Sequence, residues 1–229
     1  IPWGADLYFV WWWTWAFLPI FKARLSRRPV LITGVIDLWD ANSGEGYHGR
    51  PFWQKWLMRF ALKHAQANVF VSRLEFDGVP REIGAPNASY IPLVLNHEPP
   101  PAENHKRKDF VLSVSWLQKP NADRKCLPEI IRAVPHVRAR HPSIRFILAG
   151  AQGTAYAELD ALAQELGVRD AIEFPGVISK EEKIRLMQDC AVYLQPSLFE
   201  GFGLAILEAM SCGAPIVTSP AGAVPEVLG

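Results

Sequence analysis

The sequence predicts an α/β chain built of two Rossmann-like, doubly wound parallel-sheet domains. Three observations carry that expectation. Short β-branched apolar runs alternate with segments of helical period, which is the rhythm of βαβ units. The runs are apolar throughout, as strands buried on both faces require. A proline-rich, charged stretch then splits the series in two. With 49% hydrophobic and 21% charged residues in 229, the chain is neither disordered nor collagen-like. A net charge of +1 excludes nucleic-acid binding by bulk charge.

In chain order, a buried strand is expected near Leu7–Trp11, followed by a helix ending near Arg28 and a strand in PVLITGVI. Eight of the nine tryptophans lie between Trp3 and Trp56, so the two halves differ in construction. Leu7–Phe21 is also the one candidate membrane segment. It falls short of the roughly 20 residues a span needs, and Pro19 interrupts it, so the strand–helix reading is preferred. Peripheral membrane contact through tryptophan and the following KARLSRR cations stays open. Pro51 opens a helix over Phe52–Gln66, with Trp53, Trp56, Leu57, Phe60 and Ala61 in period. Strands follow at Asn68–Ser72 and Ser89–Val94. The stretch HEPPPAENHKRKD, His97–Asp109, reads as a linker. The boundaries are therefore 1–98 for the first domain, 99–108 for the linker and 109–229 for the second.

Beyond the linker, DFVLSVSW is a strand and Cys126–His141 a helix. RFILAG is a strand, Ala155–Leu166 a helix, AIEFPG a strand and Lys180–Gln188 a helix. AVYLQPS is a strand, Gly203–Cys212 a helix ended by Gly213, and APIVTS the last strand. Ligands are expected at the carboxyl ends of these strands. Cys126, Cys190 and Cys212 form no CxxC pair and read as small buried hydrophobes in a reducing compartment. The six histidines form no metal-ligand cluster.

Gly44-Glu-Gly46-Tyr-His-Gly49 matches GxGxxG, but several residues separate it from its strand and Pro51 falls inside the helix it would open. A dinucleotide site tolerates neither feature, so this is read as a loop.

The richer segment is Pro196–Gly229. Glu200 leaves a buried strand, and Gly201 and Gly203 flank Phe202 where a helix begins. Glycines let backbone approach a ligand, and a helix start offers free N–H groups to a phosphate. Glu208 lies among Leu204, Ile206, Leu207 and Met210, where a carboxylate must find partners such as the hydroxyls of a sugar diol. The residues alone equally allow Glu200 to be a helix cap and Glu208 to face solvent.

This segment resembles the signature of glycosyltransferase family 4, retaining nucleotide-sugar enzymes of the GT-B fold. EGFGL, EAM-x-CG, P-I-V and PE carry the likeness, with Glu200 and Glu208 as its E-x7-E pair. The likeness is weaker over Asp109–Pro196 and only in outline over Ile1–Asn96. It implies that Glu208 binds the nucleotide ribose. Glu200 and the backbone of Gly201, Phe202, Gly203 and Leu204 would hold the donor sugar and diphosphate. It also implies Lys125 at the diphosphate, Gly150 at the turn after the domain's second strand, and Val177 and Ile178 along the base. The family's Gly-Arg pair is replaced by Ser115-Trp116, leaving Arg124 or Lys119 to supply the second cation. Its acceptor-side histidine is absent, with Thr33 and Asp37 the nearest polar side chains and His48 a candidate acceptor base.

The chemistry implied is transfer of a sugar from a nucleotide donor, with retention, to an unknown glycan, lipid-linked or small-molecule acceptor. Lys125 and a helix N-terminus would stabilise the leaving diphosphate. No D-x-D motif is present, so neither a metal nor another cofactor is expected. A cytoplasmic enzyme is expected, with its place on the inner membrane face left open. Two other readings stand beside it: a nucleotide-sugar-binding scaffold without activity, and a membrane-associated structural protein. Both domains look incomplete against the family, so the chain is expected to be a window of a longer protein.

Overall fold

The computed structural model describes residues 5–35, 38, 46–95 and 107–229. The chain divides into two compact units. One is Ile1–Val94 with Gly222–Val227 and Gly229, and the other is Leu95–Ala221 with Leu228. Segment 222–227 thus groups with the first unit, whereas the sequence reading kept it in the second. The expected linker at 99–108 lies almost wholly outside the described residues.

The first unit is a parallel sheet of four strands in the order β1-β2-β3-β4: Tyr8–Trp11, Val30–Gly34, Ala67–Phe70 and Ala88–Tyr90. Along β1, Tyr8 and Val10 are buried while Phe9 and Trp11 face outward. β2 is buried at four of its five positions. Helix α1 (Phe17–Leu25) follows a 3-10 turn at Trp13–Trp15 and ends at Leu25, short of the expected end near Arg28. Trp13 is the pivot of this core. Its ring stacks on Phe70 at 5.4 Å and its indole N–H donates to the Asn68 side-chain oxygen at 2.9 Å. The Asn68 amide in turn donates to the carbonyls of Leu62 and Pro86, so a buried polar group is satisfied on both sides. Helix α2 (Phe52–His64) buries Met58, Ala61 and Leu62 beneath it.

Helix α3 (Arg73–Ile83) was not anticipated, and it carries Gly78 and Pro80, both poor helix formers, in its interior. Its start is nonetheless written in Ser72-Arg-Leu-Glu75, where the Ser72 hydroxyl accepts the Glu75 N–H at 3.3 Å.

The second unit is a parallel sheet in the order β7-β6-β5-β8-β9. The strands are β5 (Lys108–Val114), β6 (Arg145–Ala149), β7 (Ile172–Glu173), β8 (Cys190–Gln195) and β9 (Ile216–Thr218). They alternate with α4 (Lys119–Arg124), α5 (Leu127–Arg138), α6 (Tyr156–Glu165), α7 (Lys180–Asp189) and α8 (Leu204–Ser211). Only α4 was unforeseen in this series. The chain closes with α9 (Val224–Leu228). Leu127, Ile130, Ile131 and Val134 of α5 pack with Phe146 and Leu148 of β6 and Leu159 of α6. Chain order reverses at β5, which makes the gap between the ends of β5 and β8 a topological switch point.

Candidate functional site

A cavity of about 340 Å³ opens at the carboxyl ends of β5, β6 and β7. Segments following four neighbouring elements line it: Ser115 and Trp116 after β5, Lys125 after α4, Gly150 after β6, and Val177 and Ile178 after β7. Asn121 and Lys183 complete the wall. Gly150 is required here by packing. A Cβ on it would lie 1.9 Å from the Ser115 carbonyl oxygen, and its φ is +147°. The Asn121 amide donates to the Ser115 hydroxyl at 2.8 Å and to the Trp116 carbonyl at 2.7 Å, shaping the loop after β5. Trp116 is 69% exposed on this loop.

Glu200 lies beside Lys125 and is 7% exposed. One carboxylate oxygen accepts from the Gln195 amide and from the Ser197 hydroxyl, both at 2.8 Å. The same oxygen lies 3.3 Å from the Arg124 guanidinium and 3.4 Å from the Lys125 ammonium. The Tyr193 hydroxyl donates to the Gln195 oxygen at 2.8 Å, which leaves the Gln195 NH₂ for Glu200. Burial alone would raise the Glu200 pKa, but the Lys125 and Arg124 charges outweigh it and hold the carboxyl below its usual value. Lys125 is lowered from its ordinary value because burial outweighs the attraction of Glu200. Tyr193 is raised, by burial first and then by the charges of Glu200 and Glu208, so it stays a donor.

The loop from Glu200 delivers Gly203, at φ +91°, to the start of α8. No side chain caps that first turn, whereas Ser179 caps α7 and Ser72 caps α3. Phe202 is buried at 9% exposure, and Leu204 is partly open. One turn along α8, Glu208 accepts from the Lys183 ammonium at 2.7 Å. Lys183 thus connects the cavity wall to the second carboxylate of the E-x7-E pair.

The other expected residues are distributed as follows. Arg124 donates to the Phe199 carbonyl at 2.7 Å and to the Asn121 side-chain oxygen at 2.9 Å, so it braces the loop that carries Glu200. Lys119 pairs with Asp123 and Glu158. In the first unit, buried Thr33 donates to the Val69 carbonyl and His48 pairs with Glu82. Asp37 lies outside the described residues. Sequence reasoning missed Asn121, Lys183, Gln195 and Ser197. Gln195 had a readable signal, a polar residue closing an otherwise apolar strand. Lys183 had none, since it sits in a charged helix.

Residues 98–229 match the family described as Glycosyl transferases group 1. The chain belongs to that family. The matched span covers the whole cavity and both glutamates. Among relatives, the phosphatidylinositol N-acetylglucosaminyltransferase gpi3 subunit of Schizosaccharomyces pombe is 32% identical over 143 residues, 61% of this chain and 30% of that protein. The O-antigen chain mannosyltransferase B of Escherichia coli is 42% identical over 95 residues, 40% of this chain and 23% of that protein. The chain therefore spans about a third or less of the length of these relatives. Among solved structures, Anabaena HepE in complex with UDP and glucose superposes with a TM-score of 0.76 at 18% identity, covering 96% of this chain and 61% of that one. Sucrose-phosphate synthase from Thermosynechococcus elongatus gives a TM-score of 0.73 at 22% identity, covering 96% and 57%. These likenesses extend into residues 1–97, which the family match does not reach, and show the GT-B fold class.

Proposed function

We propose that the protein containing this chain transfers a glycosyl group from a nucleoside diphosphate sugar to an acceptor, with retention and without a metal. The observation that carries this is Lys125, which lines the cavity and pairs with Glu200 on the loop leading to the uncapped start of α8. The diphosphate gains negative charge as the glycosidic bond breaks. Lys125 meets it as a buried point charge, and the backbone of Phe202, Gly203 and Leu204 adds N–H donors. Glu208 accepts from the ribose hydroxyls, oriented by Lys183. Glu200 contacts the donor sugar, held in place by Gln195, Ser197 and Arg124. Val177 and Ile178 lie along the base, and Gly150 keeps the floor of the cavity open.

The S. pombe and E. coli relatives are named for transfer to a phosphatidylinositol and to an O-antigen chain. They support a glycoconjugate or glycan acceptor here. Three free, buried cysteines support a cytoplasmic setting.

Glu208→Ala in the full-length protein is the direct test. Loss of charge-assisted hydrogen bonds worth about 1.5–3 kcal/mol raises the donor KM by roughly ten- to hundredfold, with a native circular dichroism spectrum. An unchanged donor KM would remove the ribose assignment. Retention is read from the anomeric configuration of the product by NMR, where an inverted product contradicts it.

A further inference from the structure

We propose that the outward face of α1 and α2 docks on an anionic lipid bilayer. Helix α1 is apolar on two sides: Ile20 and Ala23 are buried under it, while Leu18, Phe21 and Leu25 are 66%, 59% and 64% exposed. The latter three stand at i, i+3 and i+7, a single stripe facing away from the core. The same surface continues onto α2, because Phe17 packs against the Trp56 and Phe60 rings and Arg24 meets His64 at 2.6 Å. There Phe52 is 84% and Trp56 57% exposed, and Trp15, just before α1, is 73% exposed. An apolar surface of this extent, carrying tryptophan, marks an interaction site.

The charge around it selects the partner. Residues 7–36 contain four lysines and arginines and no carboxylate; residues 46–74 contain five and again no carboxylate. The whole chain carries only +1, so positive charge is segregated onto these segments. Arg24 of α1, Arg27 just after it and Lys63 of α2 are exposed. Asp6, just outside the first segment, pairs with Arg28 at 3.1 Å; the remaining cations and apolar residues fit a layer of anionic headgroups over acyl chains. No helix among the described residues is long and apolar enough to cross a membrane, so the contact lies in the interface.

The test uses the full-length protein with phosphatidylcholine vesicles, with and without phosphatidylglycerol. Flotation is expected with the anionic vesicles only, and brominated acyl chains should quench tryptophan fluorescence. Arg24→Gln, Arg27→Gln and Lys63→Gln together should lower partitioning about a hundredfold, at roughly fivefold per cation. Leu18→Ser, Phe21→Ser and Leu25→Ser together should abolish the quenching, with Tm unchanged. Failure of the wild type to float overturns the proposal, as does flotation indifferent to both triple variants. A lower Tm or a changed oligomeric state in the serine variant also overturns it, since protein would then cover the face.

Discussion

The orientation of one amide decides the electrostatics around Glu200. The Glu200 carboxylate can only accept, so Gln195 must turn its NH₂ toward Glu200 and its oxygen toward the Tyr193 hydroxyl, which donates to it. Tyr193→Phe leaves the Gln195 oxygen short of that donor in a buried site. We expect a loss of about 1–3 kcal/mol in chemical denaturation with an unchanged m-value. Glu200 predicts a pH signature. Its folded pKa lies below the ordinary 4.5, so its charge stabilises the fold fully above 4.5. That contribution is lost as pH falls through the lower folded value. The stability difference between the wild type and Glu200→Gln should therefore be flat above 4.5 and shrink in acid. A difference that grows in acid would contradict the ion-pair assignment. Of these residues, Glu200 and Glu208 stood out in the compact segment Pro196–Gly229, and Lys125 was named through the resemblance that segment carries. Gln195, Ser197 and Lys183 act through contacts that a linear spacing does not display.

At the level of elements, the strands and longer helices followed from apolar runs and period, with ends shifted by a few residues. Three helices, α3, α4 and α9, were not expected. Local breakers hide α3, and short length hides α4 and α9. For α3 the completing contact comes from Glu226, whose carboxylate accepts the N–H groups of Arg73 and Leu74 at 2.6 and 2.8 Å. A carboxylate at a helix start satisfies donors that the helix itself cannot. Gly150 is the opposite case, an element boundary whose residue type is dictated by a neighbour. Gly150→Ala places a methyl against the Ser115 carbonyl and imposes a positive φ on alanine. The expected cost is about 2 kcal/mol or more, read as a fall in Tm with loss of nucleotide binding. An unaltered Tm would mean that the loop after β5 yields easily.

On the scale of the whole molecule, a ligand that binds only the native second unit should stabilise it by mass action. Nucleoside diphosphates should raise the Tm of the full-length protein equally with and without chelator, and turnover should survive chelation. Activity abolished by chelator alone would contradict the metal-free scheme. The sequence by itself determined the α/β class, the parallel sheets and the place of the E-x7-E segment, because period, strand length and short-range motifs are local properties. The tertiary structure decided the rest. It brought the ends of β5, β6 and β7 to one cavity, gave Glu200 its partners and tied Glu208 to Lys183. It also turned part of the tryptophan-rich stretch into a core around Trp13 and part into an exposed face. Both outcomes depend on which residues meet across a sheet, set in the second unit by chain order around β5 and in the first by packing of helices on its sheet, not by neighbours in sequence.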